Sequence, residues 1–306
     1  MIDFSCAEFA FPLLDRQQSL AVIRLLGFSF VDIGLFARSS TFSPAALCAS
    51  PARYTAKAKR DLARESLRAA DVFLQIGMDP PICAANDPDP AVRRRNRRIF
   101  QASVDFTRAL KCRHMTGLPG VYHEGAARQI DWELAVKEAR WRQAICARNG
   151  IQYAVEAHLG SICDSVDSTL DFLHEVPGLT LTLDYGHFIF NGIPSEQAHR
   201  LVPHASHVHA RAGARGRLQA VFSDNQIDYP GAIAALKQAE FKGSIALEYV
   251  WIDWNDCNRC DNISETILLK NHLSRLVSDA TADSAGNGRS VRVNAPKHKK
   301  RAASGR

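Results

Sequence analysis

Short apolar runs alternate with helical segments at a regular spacing in the second half of the chain, and this rhythm constrains the fold most. Runs rich in leucine and β-branched residues begin near residues 151, 180, 205 and 244, and a helical pattern follows each one. The first half repeats the alternation less regularly. Eight strands and eight helices over about 280 residues predict an α/β protein with a single closed (β/α)₈ barrel.

An open, doubly wound sheet is the alternative that the same alternation allows. Such a sheet usually carries a glycine-rich phosphate-binding turn after its first strand. The segment Phe9-Ala10-Phe11-Pro12 occupies that position here and contains no glycine. The closed barrel is therefore the favoured interpretation.

The last 28 residues differ in composition from the rest of the chain. Residues 279–306 contain seven Lys or Arg and two Asp, so they carry most of the net charge of +6. They have few large apolar residues and cannot bury enough surface to fold alone. We therefore expect one barrel domain over residues 1–278 and a disordered basic tail over residues 279–306, with an arm for an anionic partner as the alternative.

The sequence has neither an apolar run of membrane-spanning length nor a secretory leader, so we expect a cytoplasmic protein. Its eight cysteines are scattered, which favours reduced thiols. Cys257 and Cys260 form the one CxxC motif, and no second pair exists to complete a structural zinc site. A redox or an incidental role is left open for this pair.

Four predicted strands of the second half end in a side chain that can bind a metal ion. Glu156, Asp184, His209 and Glu248 lie at or near the carboxyl ends of these strands, roughly one strand–helix unit apart. Because the carboxyl ends of all barrel strands open onto one face, we expect the four side chains to converge there. Three carboxylates and one imidazole suit Mn²⁺, Mg²⁺ or Co²⁺, and Zn²⁺ is also compatible.

The segments around these residues resemble the xylose-isomerase-like TIM-barrel superfamily, strongly over residues 150–275 and only in architecture before them. The similar segments are Val155–His158, Leu183–His187, Ser206–His209 and Ala246–Glu248. The superfamily includes sugar-phosphate isomerases and epimerases, hydroxypyruvate isomerase, inosose dehydratase and relatives of endonuclease IV. The resemblance implies a divalent-metal-dependent enzyme whose substrate is a small carbohydrate-like molecule.

The resemblance also implies roles for individual residues. The metal ligands of the epimerase branch fall on Glu156, Asp184, His209 and Glu248 of this sequence. His187 and Arg215 fall on positions that contact substrate, and we expect His158 to help hold substrate oxygens. We expect Glu156 and Glu248 to transfer protons.

The chain departs from many relatives directly after His209. Those relatives carry an acid within a few residues of this position, whereas here Ala210–Arg215 contains only alanine, glycine and arginine. This departure argues against the hypothesis of a multi-zinc endonuclease, because such an enzyme needs additional acidic and histidine ligands. A basic loop with Arg211, Arg215 and Arg217 could instead bind a carboxylate or a phosphate.

The resulting hypothesis is an isomerase or epimerase of a sugar, sugar phosphate or related keto compound that works through an enediolate. Loss of a β-hydroxyl from the same intermediate would give a dehydratase. An endonuclease IV-like hydrolase that uses the basic tail and the Arg93–Arg98 run is a further hypothesis, as is a barrel without catalytic function. The nearly neutral body argues against nucleic acid, and a homo-oligomer is left open.

Overall fold

The computed structural model describes residues 2–37 and 42–286, and its eight strands close into one parallel barrel in sequential order. This confirms the predicted (β/α)₈ barrel. The strands are β1 (Asp3–Ala7), β2 (Phe30–Phe36), β3 (Arg68–Gln75), β4 (His114–Gly117), β5 (Gln152–Glu156), β6 (Thr180–Asp184), β7 (Ala205–Ala210) and β8 (Ser244–Leu247). The α-helices of the described residues are α1 (Arg16–Leu25), α2 (Pro44–Ala49), α3 (Pro51–Arg64), α4 (Pro90–Ala109), α5 (Arg128–Arg148), α6 (Val166–Glu175), α7 (Tyr185–Phe190), α8 (Ser195–Ala198), α9 (Tyr229–Gln238) and α10 (Asn262–Gly286).

Alternate residues of each strand pack outward against the helices. In β2, Val31, Ile33 and Leu35 are fully buried, and Asp32 between them points to the barrel interior, where it contacts His207 of β7. The period of two that places successive strand residues on opposite faces produces this division. The apolar layer between strands and helices is the main hydrophobic core of the molecule.

The barrel interior holds a hydrogen-bonded polar network in addition to apolar side chains. His114 of β4 contacts Asp71 of β3 and Ser206 of β7, both at 2.7 Å, and Ser206 contacts Thr180 of β6 at 2.6 Å. These partners satisfy buried polar groups that would otherwise destabilise the fold. The network ties β3, β4, β6 and β7 together below the open end of the barrel.

The register of the strands places the expected site residues at the same height along the barrel axis. Asp184 of β6 is the direct neighbour of His209 of β7, and His209 is in turn the neighbour of Ala246 of β8. Glu156 ends β5, and Glu248 follows the last residue of β8. The four residues therefore meet at the carboxyl end of the barrel.

Two helices were not fully specified by the sequence pattern. A short helix, α7, follows β6 directly, with Asp184 as its N-cap. The last helix, α10, continues to Gly286, into the range 279–306 that we expect to be the tail. The basic part of the predicted tail, from residue 287 onward, lies outside the described residues.

Arginines of the Arg93–Arg98 run contact other parts of the barrel's own surface. Arg97 donates two hydrogen bonds to Glu138, at 2.8 and 3.1 Å. Arg93 donates to the backbone carbonyls of Asp87 and Pro88. These partners neutralise or orient part of the run. Among the described helices, none combines the length and apolarity that crossing a membrane requires.

Candidate active site

Three of the four expected metal ligands converge at the carboxyl end of the barrel. His209 Nδ1 lies 2.6 Å from Glu156 Oε1 and 3.4 Å from Glu248 Oε2. One donor atom from each residue lies within 4.8 Å of the others, which is the spacing of ligands around a single ion. All three side chains are buried. Three such donors fit a divalent cation that prefers oxygen ligands.

Asp184, the fourth expected ligand, is occupied by different partners. Its Oδ1 accepts a hydrogen bond from the Gly186 amide at 2.7 Å, and its Oδ2 accepts one from Arg211 Nε at 3.0 Å. Arg211 Nη2 donates both to Asp184 and to Glu248. The guanidinium of Arg211 thus bridges two carboxylates that the sequence assigns to a metal ion.

The sequence predicts Arg211 only as part of a basic loop that could bind a carboxylate or a phosphate, although a signal for its place in the acidic site exists. His207, His209 and Arg211 are two residues apart, and the side chains of a strand alternate with a period of two. The side chains of all three are buried, and each contacts a carboxylate that points into the barrel. Extending the His-x-His pattern by one more step would have placed Arg211 in the site.

His187 and His158 lie side by side next to the acidic residues, with ring centroids 4.4 Å apart. His187 Nδ1 accepts a hydrogen bond from the Leu159 amide, so the neutral ring carries its proton on Nε2. That Nε2 lies 3.6 Å from Asp184 Oδ2 and 4.0 Å from Glu156 Oε2. His158 also stacks on Trp254. Both histidines therefore border the acidic cluster, as expected for groups that hold a substrate.

The buried charges shift the pKa values of the two glutamates in opposite directions. Burial raises the pKa of Glu248 to about 7, against the opposing effect of Arg211 and His209. Burial also acts on Glu156, but the hydrogen bond and the charge of His209 outweigh it and lower its pKa below the ordinary value. Burial disfavours the charged form of His209, yet Glu248 and Glu156 raise its pKa to about 10.

Desolvation also affects the pKa of His187. Burial, together with the nearby charges of His158 and Arg211, holds the pKa of His187 well below its ordinary range. The imidazole is therefore neutral near pH 7 and can donate a hydrogen bond from Nε2 without carrying a charge.

A cavity of about 130 Å³ opens directly above these residues. Glu156, His158, Arg211 and Glu248 form its polar floor. Phe9, Phe36, Phe73 and Trp254 contribute an aromatic wall that the sequence pattern does not predict. A concave space with convergent polar groups on an apolar wall is the usual form of a small-molecule site.

Arg215, an expected substrate contact, does not reach this cavity. Its side chain is exposed and borders a separate surface groove near Gly192 and Asp228. The neighbouring Arg217 is also exposed and pairs with Asp224. Of the three arginines in the loop, only Arg211 lines the acidic site.

Asp32 and Asp71 lie behind His209, deeper in the barrel. Together with His207 and His209 they form a second group whose ligand atoms lie within 4.8 Å of one another. Among the described residues, Asp32 Oδ1, Asp71 Oδ2 and His209 Nε2 are buried without a hydrogen-bond partner. The sequence shows Asp32 as a charged residue inside an apolar strand, which is the signal that would have pointed to this group.

The CxxC cysteines lie close to the site without joining it. Cys257 and Cys260 are both buried and not disulfide-bonded. Burial raises the pKa of Cys257 to about 11 and also raises that of Cys260, which keeps both thiols protonated near neutral pH. Protonated, buried thiols are poor nucleophiles, so an incidental role is favoured over a redox role.

The sequence matches the family described as xylose isomerase-like TIM barrel over residues 20–268. No curated protein matches the sequence.

Solved structures with the same fold include enzymes of two reaction classes. A D-allulose 3-epimerase from Methylomonas sp. is 19% identical, with a TM-score of 0.69 over 90% of this chain and 98% of that one. The probable 3-DHS dehydratase AsbF from Bacillus anthracis is 16% identical, with a TM-score of 0.62 over 88% and 99%. A xylose isomerase-like TIM barrel protein from Mycobacterium smegmatis in complex with magnesium is 13% identical, with a TM-score of 0.70 over 91% and 97%.

Proposed function

The chain belongs to the xylose isomerase-like TIM-barrel family, and we propose from its site that it is a divalent-metal-dependent isomerase or epimerase. Its substrate would be a sugar, a sugar phosphate or a related keto compound, and the reaction would proceed by proton transfer through an enediolate. The observation that carries the proposal is the convergence of Glu156, His209 and Glu248 within 4.8 Å, with both glutamates lining one cavity.

Glu156, His209 and Glu248 would hold the metal ion, and Asp184 would join them once its contact with Arg211 opens. When bound, such an ion would supply Lewis-acid stabilisation of the negative charge that develops on the substrate oxygens. Mn²⁺, Mg²⁺ and Co²⁺ suit this set of oxygen donors with one nitrogen, and Zn²⁺ also fits. The neighbour crystallised with magnesium is consistent with a site of this kind.

Glu156 and Glu248 would move protons, and their position in the lining of the cavity supports this role. One carboxylate would remove the proton next to the substrate carbonyl, and the other would return a proton. Return to the same carbon gives epimerisation, and transfer to the adjacent carbon gives isomerisation. His187 Nε2 and His158 would hold substrate oxygens beside these carboxylates.

A dehydratase is the second candidate. It would use the same proton abstraction, followed by departure of a β-hydroxyl group as water after a second proton transfer. The observation that favours it is the similar fold of AsbF, a probable 3-DHS dehydratase. The aromatic wall formed by Phe9, Phe36 and Phe73 would suit the carbon face of a cyclic substrate.

Metal content and proton exchange test the proposal together. Purified protein is analysed for bound metal and then incubated in D₂O with a panel of ketoses and cyclic hydroxyketones, and loss of carbon-bound protium is followed by NMR. We expect wild type to bind one divalent ion and to exchange one substrate proton. Glu156→Gln should fold and lose exchange, whereas Glu175→Gln, on the outer surface, should match wild type. Absence of both bound metal and exchange in wild type would overturn the proposal.

A further inference from the structure

We propose that Arg211 competes with the divalent cation for its own ligands. In this arrangement the guanidinium holds Asp184 and Glu248 together, and a metal ion acquires both carboxylates only when the guanidinium leaves them. The inference rests on the proposed function, because it concerns the same metal site. It makes Arg211 the residue that sets how tightly the site binds metal.

The contacts of Arg211 are those of a cation enclosed by anions. Its Nε and Nη2 donate to Asp184 Oδ2, and Nη2 also donates to Glu248 Oε2. All three side chains are buried. The remaining Asp184 oxygen accepts a hydrogen bond from the Gly186 amide. An arginine is always charged in a protein, so its positive charge already occupies the space between the two carboxylates.

The backbone on both sides of the guanidinium is fixed. Tyr229 Oη donates to the Arg211 carbonyl at 2.7 Å, and the Ala212 amide donates to Tyr249 Oη at 2.9 Å. These bonds hold the main chain in place, so the guanidinium can leave only by rotation of its own side chain. Arg211 lines the cavity of about 130 Å³, which offers space for that rotation.

Competition follows from the geometry of the donors. Glu248 belongs both to the group of three donors around His209 and to the pair that Arg211 bridges. An ion bound by Glu156, His209 and Glu248 therefore approaches the positive charge of Arg211 as long as the guanidinium stays on Glu248, and like charges repel more strongly in a buried site than in water. Removing the guanidinium would free Asp184 Oδ2 and Glu248 Oε2 from Arg211 and make both oxygens available to the metal ion.

A titration with Mn²⁺ compares wild type with three variants. Arg211→Met removes the charge and keeps much of the side-chain length, Arg211→Lys keeps the charge, and Arg217→Met removes an exposed arginine from the same loop. We expect Arg211→Met to bind Mn²⁺ at least tenfold more tightly than wild type. Arg211→Lys should stay within a few-fold of wild type, and Arg217→Met should be unchanged. Circular dichroism confirms that each variant is folded.

The possible results separate the inference from the proposed function. Equal or weaker Mn²⁺ binding by folded Arg211→Met, with binding by wild type, overturns the inference and leaves the proposed function standing. No Mn²⁺ binding by any of the proteins overturns both. If Arg211→Met binds Mn²⁺ and wild type does not, the inference is supported, because the guanidinium then excludes the ion completely.

A measurement on wild type keeps the inference testable if Arg211→Met does not fold. The Nε–Hε NMR signal of Arg211, assigned by its loss in Arg211→Lys, reports the hydrogen bond to Asp184. We expect this signal to shift or broaden as Mg²⁺ saturates the protein. An unchanged signal in the Mg²⁺-saturated protein would overturn the inference.

Discussion

Asp32 lies behind His209, with its Oδ2 3.8 Å from His209 Nε2, while Nδ1 of the same ring faces Glu156 at 2.6 Å. The imidazole is therefore placed between a carboxylate inside the barrel and the group of donors at its open end. At 3.8 Å Asp32 makes no hydrogen bond to the ring, but its negative charge helps to raise the pKa of His209 and so increases the basicity of the imidazole. Asp32 is in turn held by His207 at 2.6 Å.

We expect Asp32→Asn to weaken divalent-metal binding by about tenfold, because it removes a buried negative charge that lies 3.8 Å from the ring of the ligating histidine. Asp32 is a positioning residue in this prediction and would not touch the ion. The measurement is Mn²⁺ affinity by calorimetric titration, with Asp224→Asn as the exposed control. Unchanged affinity in a folded Asp32→Asn protein would show that the charge of Asp32 does not contribute to metal binding.

Gly186→Ala should destabilise the protein and disturb Asp184. A Cβ at Gly186 would lie 2.9 Å from Asp184 Oδ1 and 3.2 Å from the Leu218 carbonyl oxygen, closer than such atoms normally approach. We expect a loss of about 1–3 kcal/mol in the free energy of unfolding, the usual effect of overpacking. Chemical denaturation measures it. An exposed helical glycine would instead gain about 0.5–1 kcal/mol on replacement by alanine, so the sign of the change separates steric conflict from helix propensity.

The stability of the fold should depend on pH through Glu8. Burial raises the pKa of Glu8 to about 7, although Arg16 at 3.0 Å and Lys57 oppose the shift, and Asp61 adds to it. Because the folded-state pKa exceeds the unfolded value, the contribution of Glu8 is fully present below about pH 4.5 and is lost as the pH rises through about 7.

We therefore expect the wild-type free energy of unfolding, measured relative to Glu8→Gln, to fall by about 1–3 kcal/mol between pH 5 and pH 8. Urea denaturation at several pH values gives this difference, in which titrations elsewhere cancel. Glu133→Gln, at an exposed position, should show no such trend. A difference between wild type and Glu8→Gln that is independent of pH would contradict the predicted shift.

Thiol labelling should distinguish two cysteines from the remaining six. Cys48 and Cys83 are partly exposed, whereas the remaining six cysteines are buried. We expect two thiols to react quickly with Ellman's reagent in the native protein and all eight to react after denaturation. A double Cys48→Ser, Cys83→Ser variant should lose the fast phase. Fast labelling of Cys257 or Cys260, identified by mass spectrometry, would reinstate a redox role for the CxxC motif.

The barrel fold, and the location of the four candidate ligands at one end of it, could be predicted because both depend on short stretches of sequence. Each apolar run specifies a strand, and parallel strands of a closed barrel all end on the same face. Glu156, Asp184, His209 and Glu248 each lie at such an end, so their common location follows from topology alone. The short helix after β6 was less predictable, because its cap uses the same Asp184 side chain that suggests a ligand.

The partners of these side chains could not be read from the sequence, because they come from segments that are far apart along the chain. Asp32 and His207 are 175 residues apart, and Arg211 reaches Glu248 across 37 residues. The aromatic wall likewise joins Phe9, Phe36 and Phe73 from three different strand ends.

The sequence by itself determined the (β/α)₈ barrel and the strand ends that carry acids and histidines, since both depend on short-range patterns of apolar and polar residues. Only the tertiary structure decided which charge lies between which carboxylates. It placed Arg211 against Asp184 and Glu248, left Arg215 outside the cavity, and set Asp32 behind His209. Such contacts depend on where each side chain points in the closed barrel, and this is set only when all eight strands are paired.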